Sequence, residues 1–211
     1  MKITKYGHCS LLIEEGSLRI LTDPGNLSPS QKEARNVHLV LITHEHPDHF
    51  HLESLKEVLA NNPGAHIITN SAVARLLTEA GLQGELLEHG GKKSLQGVEL
   101  EGFGEKHAEI YKEIGQVQNT GYFIAEKLFY PGDALYDPAR PIDVLALPVG
   151  GPWVKVRDFM DYAMTVKPRL AFPVHDGGLK SPGVAHRAPS LVLPKMGIEF
   201  RIPEDGTAFE V

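Results

Sequence analysis

Thr43-His44-Glu45-His46-Pro47-Asp48-His49 sets three imidazoles and the Asp48 carboxylate side by side, directly after the apolar run Val37 to Ile42. Such a density of ligand-type side chains on a short loop reads as a metal-binding segment. In an extended backbone residues i and i+2 project to the same side, so His44 and His46 can converge on one ion while Glu45 turns away. Asp48 and His49 are then free to serve a second. Pro47 lacks an N–H and fixes φ, which suits a sharp exit from the strand and the start of a helix at about Leu52. The zinc-protease pattern His-Glu-x-x-His does not apply, because it needs two histidines at i and i+4 on a helix.

The elements that must position this loop can be read as two alternating halves. Lys2–Tyr6, Ser10–Glu14 and Leu18–Thr22 are predicted strands, the last two joined by a Glu15-Gly16-Ser17 hairpin turn. Val37–Thr43 follows as a buried strand. Leu52–Ala60 and Ala72–Ala80 carry apolar residues at helical spacing, with a strand at His66–Thr69 between them and Gly81 stopping the second helix. Strands are then expected at Glu85–Leu87 and Val98–Phe103. The second half repeats the theme with a hairpin of Gly121–Ala125 and Lys127–Tyr130, a strand Val144–Leu147, a helix Val156–Val166 and a strand Ala171–Val174. A helix near Ser190–Met196 and strands Glu199–Ile202 and Thr207–Val211 close the chain.

This order points to an α/β fold in which two mixed sheets pack face to face with helices outside, a four-layer αββα sandwich. No linker or low-complexity tract interrupts it, so residues 1–211 are expected to form a single domain. The loops Gly25–Asn36 and Glu105–Asn119, which lack periodicity, are candidates for the rim of a pocket. Three further residues sit directly after predicted strands, where rigid elements fix their origin: His107, Asp133 and His175.

The string His-x-His-x-Asp-His, preceded by a strand ending in Asp23 and followed by isolated His and Asp residues at later strand ends, resembles the metallo-β-lactamase superfamily. Tyr6-Gly7-His8-Cys9-Ser10-Leu11-Leu12-Ile13-Glu14 and Ile20-Leu21-Thr22-Asp23-Pro24 draw the resemblance toward small stand-alone hydrolases related to L-ascorbate-6-phosphate lactonase and, more distantly, N-acyl-phosphatidylethanolamine phospholipase D. It spans essentially the whole chain. The resemblance implies the same four layers. It also implies a first metal at His44, His46 and His107, a second at Asp48, His49 and His175, and Asp133 bridging the two. A water shared by the ions would be the nucleophile, which makes Asp48 and Asp133 catalytic as well as metal-binding. Nitrogen and oxygen donors without a thiolate suit two divalent ions, zinc on availability, with manganese, iron or nickel compatible.

Other positions stay open between two roles. Asp23 either orients a metal-bound imidazole or forms a turn before Pro24. His8 either acts near the metals, protonating a leaving group as a catalytic residue, or is a strand-end histidine satisfied by backbone. Trp153 and Lys155 follow Gly150-Gly151-Pro152 and either meet an anionic or ring-bearing substrate or serve as a core aromatic and a solvated cation. His38, His51, His66, His89 and His186 lack the motif context and read as structural or surface residues, with His186 the exception to watch because its loop follows His175.

Composition limits the remaining classes. The 42% apolar content across 211 residues supports a packed core, and a net charge of −6 with scattered Lys and Arg disfavours a nucleic-acid partner. The single cysteine, Cys9, excludes an internal disulfide and reads as a buried thiol in a reducing compartment. No apolar run approaches the ~20 residues a bilayer requires, and the N-terminus has no basic-then-apolar leader, so a cytoplasmic location without membrane contact is expected. A homo-oligomer stays open. The function expected is hydrolysis of a small ester, lactone or phosphodiester, with a small-molecule substrate that carries an anionic group as one option. An inactive metal-binding sensor or scaffold on the same fold is the alternative.

Overall fold

The computed structural model describes residues 1–114 and 116–211. Its first sheet holds β1 (Lys2–Lys5), β2 (Leu11–Glu15), β3 (Leu18–Thr22), β4 (Leu39–Leu41), β5 (His66–Thr69) and β6 (Glu85–Leu86). The second holds β7 (Lys92–Leu95), β8 (Val98–Phe103), β9 (Gly121–Ile124), β10 (Leu128–Tyr130), β11 (Val144–Pro148), β12 (Leu170–Val174) and β13 (Glu199–Phe200). The last strand, β14 (Ala208–Glu210), returns to the first sheet beside β1, giving orders β14-β1-β2-β3-β4-β5-β6 and β13-β12-β11-β10-β9-β8-β7.

Both sheets are mixed. Short hairpins join the antiparallel pairs β1–β2 and β2–β3, while β3–β4–β5–β6 and β10–β11–β12–β13 run parallel. Parallel neighbours need crossovers, and helices supply those from β4 to β5, β5 to β6, β11 to β12 and β12 to β13. α1 (Leu52–Asn61) and α2 (Ser71–Glu79) belong to the first half, α3 (Val156–Val166) and α4 (Gly183–Val192) to the second.

Residue alternation shows the layering. In β4, Leu39 and Leu41 face the interior between the sheets with Tyr122, Tyr130 and Phe172, while Val40 turns outward to Leu55, Val58, Val73 and Leu77 of α1 and α2. On the other side Phe129, Leu145 and Ala171 turn outward to Phe159, Met160 and Ala163 of α3. One face of each sheet therefore buries against the other sheet and one against helices. That explains the near-continuous burial of β10, β11 and β12. The αββα sandwich expected from the sequence is the fold observed.

Three differences have physical causes. β4 is three residues long, shorter than the predicted Val37–Thr43, because the Thr43 N–H leaves the ladder to bond the Asp23 carboxylate at 2.7 Å. The predicted helix at Ser190–Met196 is instead α4 at Gly183–Val192 followed by a 3-10 turn at Leu193–Met196. Pro182, Gly183 and Pro189 obscured that helix, and Pro194 separates it from the turn. β7 gives no strand signal, since Lys-Lys-Ser-Leu lacks apolar alternation; it is an edge strand with Lys92 exposed and Lys93 half-buried beside Glu85, paired with β8 through a turn at Gln96 and Gly97, both at positive φ. The Gly25–Asn36 loop also contains a 3-10 turn, Pro29–Glu33.

Candidate metal centre

Every chemistry-bearing segment named above opens at one edge of the sandwich. Asp23 ends β3, the His44–His49 loop leaves β4, and His107, Asp133, Trp153 and His175 follow β8, β10, β11 and β12. His8 and Cys9 lie in the β1–β2 turn at the same edge, since β2 runs antiparallel to β3. In open α/β sheets this carboxyl edge is where loops converge on ligands.

The loop geometry of residues 44–49 is set locally. The His49 and Phe50 amides both bond the His46 carbonyl, at 2.9 and 2.7 Å, folding the chain back after the two histidines. Gly25 presses on the same loop so closely that a Cβ there would lie 1.8 Å from the Asp48 carbonyl oxygen, so no other residue fits.

The structure brings His44, His46, His107 and Asp133 into one group whose donor atoms lie within 4.8 Å of one another. Asp133 also reaches across to the other histidines. Its Oδ1 is 3.0 Å from His49 Nε2, and its Oδ2 is 2.8 Å from His175 Nε2 and 3.2 Å from His107 Nε2. Asp48 Oδ2 stands 3.4 Å from His175 Nε2 and 3.2 Å from His8 Nε2. All seven residues expected as ligands therefore meet in one place, with Asp133 central.

Outer partners fix the ring tautomers. Asp23 Oδ2 accepts from the Thr43 hydroxyl at 2.8 Å, from Tyr130 at 2.5 Å and from His49 Nδ1–H at 2.7 Å. With its own proton given to Asp23, the Thr43 oxygen accepts from His44 Nδ1–H at 3.0 Å. His107 Nδ1–H donates to the Ala108 carbonyl at 2.5 Å. The Nε2 atoms of His44, His49 and His107 are thereby left facing inward.

Inside the cluster, His44 Nε2, His49 Nε2, Asp133 Oδ1 and both ring nitrogens of His175 are buried and make no well-aligned hydrogen bond, although His49 Nε2 and His175 Nε2 stand 3.0 and 2.8 Å from the Asp133 carboxylate. Leaving such groups unmade costs about 1–3 kcal/mol each, more if charged. A divalent cation with nitrogen and oxygen ligands would satisfy them together, so the donor set fits the ions that the resemblance implies.

Protonation equilibria are strongly shifted here. Burial, aided by the neighbouring His49 ring, holds His44 well below the usual imidazole range. Burial also opposes charge on His49 and His175, but Asp133 and its neighbours outweigh it, holding His49 well above normal and His175 at about 10. Burial would raise Asp133 and Asp48, yet the surrounding imidazoles keep both carboxyls well below theirs. Burial likewise pushes the Cys9 thiol up, and the rings of His8, His49 and His175 bring it down to about 6. Clustered shifts of this kind mark a functional centre.

Two residues take roles the sequence did not separate. Trp153 is buried, and its indole N–H donates to Asp133 Oδ2 at 2.9 Å. The Gly-Gly-Pro run before it was the available signal, for a Cβ at Gly151 would sit 2.8 Å from Trp153 Nε1 and 3.1 Å from His175 Cε1. Asp176 pairs with Lys5 at 2.6 Å and His186 at 2.8 Å behind His175, a buried contact that its position in the chain did not announce. Cys9, read as a packed thiol, falls in a second donor group with His8, His49 and His175. Lys155 is an exposed residue at the start of α3, away from that role. Of the other histidines, His38 and His89 accept backbone N–H groups and His51 caps α1.

Beside the cluster lies a cavity of about 360 Å³ whose polar side is His8, Asp48 and His175 and whose apolar side is Leu27, Pro152 and Leu179. Leu27 comes from the first of the two loops expected at the rim. The second supplies His107 and exposed Tyr111 and Ile114, while its Gly115 lies outside the described residues.

Comparison with known proteins places the chain in a family. The family model for the beta-lactamase superfamily domain matches residues 2–175. The chain belongs to the beta-lactamase superfamily. A Mycobacterium tuberculosis protein is 34% identical to this superfamily member over 180 residues, covering 83% of this chain and 84% of that protein. A UPF0173 metal-dependent hydrolase of Flavobacterium johnsoniae is 30% identical over 166 residues, or 71% of this chain and 72% of that protein. Among solved structures, Igni18, a metallo hydrolase from Ignicoccus hospitalis, superposes with a TM-score of 0.77 at 21% identity, covering 100% of this chain and 98% of that one. The metallo-beta-lactamase fold protein YhfI from Bacillus subtilis gives 0.75 at 14% identity, covering 100% and 99%. At these identities the two structures bear on the fold alone.

Proposed function

We propose that this superfamily member is a metal-dependent hydrolase that holds two divalent ions and opens a small ester, lactone or phosphodiester. His44, His46 and His107 would hold the first ion, Asp48, His49 and His175 the second, and Asp133 would bridge them. The supporting observation is the convergence of inward ring nitrogens from two sets of histidines, without well-aligned hydrogen bonds, on one buried carboxylate. Relatives named metal-dependent hydrolases support the activity class.

Bound ions supply Lewis acidity and bring the pKa of water toward neutrality. The chain's own groups do the rest. Asp23 and Thr43 keep the Nε2 atoms of His44 and His49 aimed inward without rotation. Trp153 steadies Asp133, so the carboxylate that separates two positive centres has little freedom. His8 accepts the Gly177 N–H on Nδ1 at 3.0 Å, which leaves Nε2–H to donate to Asp48 at 3.2 Å. Its nearest task is thus to hold Asp48; protonating a leaving group would require that hydrogen bond to break. Leu27, Pro152 and Leu179 give a substrate an apolar wall, and none of the residues lining the cavity is Lys or Arg.

The test is metal analysis together with hydrolysis of matched chromogenic esters, lactones and phosphodiesters by metal-loaded protein. Two equivalents of metal with ester, lactone or phosphodiester turnover is the expected result. Full metal loading with no turnover across the panel would instead favour a sensor or scaffold.

A further inference from the structure

Cys9 is 1% exposed, and its sulfur and one ring nitrogen each of His8, His49 and His175 lie within 4.8 Å of one another. This group stands beside the one formed by His44, His46, His107 and Asp133. Of its members, His8 has both nitrogens engaged, by Gly177 N–H and by Asp48. His49 and His175 are less tied: His49 Nε2 and both His175 nitrogens make no well-aligned hydrogen bond, the two Nε2 atoms standing 3.0 and 2.8 Å from the Asp133 carboxylate, in residues 0% and 6% exposed. Asp48, by contrast, is a more open donor, with a side chain 27% exposed.

We propose that Cys9 is a thiolate ligand of the second ion, supplying a sulfur donor from the buried floor while Asp48 supplies oxygen from the more exposed side. The inference rests on the two-ion reading above and sharpens it. On binding, the thiol S–H breaks, its proton leaves to solvent and a sulfur–metal bond takes its place. Sulfur beside two imidazoles favours a borderline-soft ion such as zinc over manganese or magnesium, which prefer oxygen. The second position would then be zinc-selective, and the first, with nitrogen and oxygen only, less so. Packing gives the competing account, since Cys9 also contacts the core around Ile3, Leu11 and Tyr130 as a small hydrophobe would.

Cobalt(II) alone is the probe, because a thiolate ligand to cobalt produces a near-ultraviolet charge-transfer band that imidazole and carboxylate ligands do not. Titration of the full chain is expected to take up two equivalents, with the band growing on the second and vanishing in Cys9→Ser and Cys9→Ala. Zinc affinity at the second position should fall in both variants by at least the roughly 10–100-fold that loss of an outer partner costs, while the first equivalent binds as before. Near-ultraviolet circular dichroism checks that each variant is folded, and two substitutions guard against one that is not. Two equivalents without the band would overturn the sulfur ligand and leave the two-ion site standing. One equivalent carrying the band would keep the sulfur ligand and overturn the two-ion site. One equivalent without it would overturn both.

Discussion

Asp133 shows how one side chain can organise a site. It is 2% exposed, within 3.8 Å of ring nitrogens of His44, His49, His107 and His175, and anchored by Trp153. Replacing it by Asn keeps shape but removes the charge that would screen two cations from each other. Asp133→Asn is expected to fold, to keep the first ion and to weaken the second, with turnover falling about 10²-fold or more. Metal content and steady-state rates on the same preparation check this; an Asn variant with both ions and full rate would sink the bridging role. Asp23, invisible to substrate, works one layer out, where it gathers Thr43, Tyr130 and His49 in a single buried network. Its φ of 36°, like the 61° of His175, lies in the left-handed region that non-glycine residues rarely adopt. Such strain persists only where surrounding bonds over-determine it.

Among the elements, the turn after β12 depends on partners from distant parts of the chain. His175 N–H bonds the His8 carbonyl at 2.9 Å, tying the turn to the β1–β2 turn. Lys5 of β1 reaches Asp176 at 2.6 Å with both side chains nearly dry, and His186 of α4 closes the other side of that carboxylate. A buried ion pair is weak evidence for stability, but removing one partner is costly because the other charge stays in the interior. Lys5→Met is therefore expected to lower stability by up to about 3–5 kcal/mol, with His186 softening the loss. Thermal unfolding measures it, and an unchanged midpoint would show that Asp176 needs no cation. The variant should also disturb the second ion more than the first, since His175 is the adjacent residue.

At the scale of the molecule, the two sheets are held together by polar contacts as well as by the core between them. Tyr122 of β9 donates to the Ile42 carbonyl at 2.9 Å and Tyr130 of β10 to the Asp23 carboxylate at 2.5 Å, so the site edge joins both sheets. Ions held at that edge would bind the folded chain and not the unfolded one. A chelator is expected to lower the melting midpoint of metal-loaded protein, about 2.7 kcal/mol being at stake for each ion present at 100 times its Kd; equal midpoints with and without chelator would refute metal-linked folding. Acid acts through the same edge. Burial would raise the Asp176 carboxyl, but His186 and Lys5 hold it below its usual value. A depressed carboxyl contributes stability that is fully present above the unfolded value near 4 and is lost as pH falls toward the folded one. Denaturant midpoints should accordingly fall as pH drops below about 5, less steeply in Asp176→Asn.

What the sequence by itself determined was whatever a short stretch of chain encodes. The His44–His49 spacing, the strand-end positions of His107, Asp133 and His175, and the periodicity of α1, α2 and α3 are local, and the elements and convergence seen in the structure follow them. Where proline and glycine interrupt the pattern, as in α4, or cations replace the apolar face, as in β7, local signal fails even though the element forms through long-range pairing. Only the tertiary structure decided which neighbours stand behind each ligand. Trp153 meets Asp133 across 20 residues, Tyr130 meets Asp23 across 107, and Lys5 meets Asp176 across 171. Those contacts, and the place of Cys9 beside His49 and His175, arise because two separately read halves close face to face, and periodicity along one chain carries no information about the distance between two sheets.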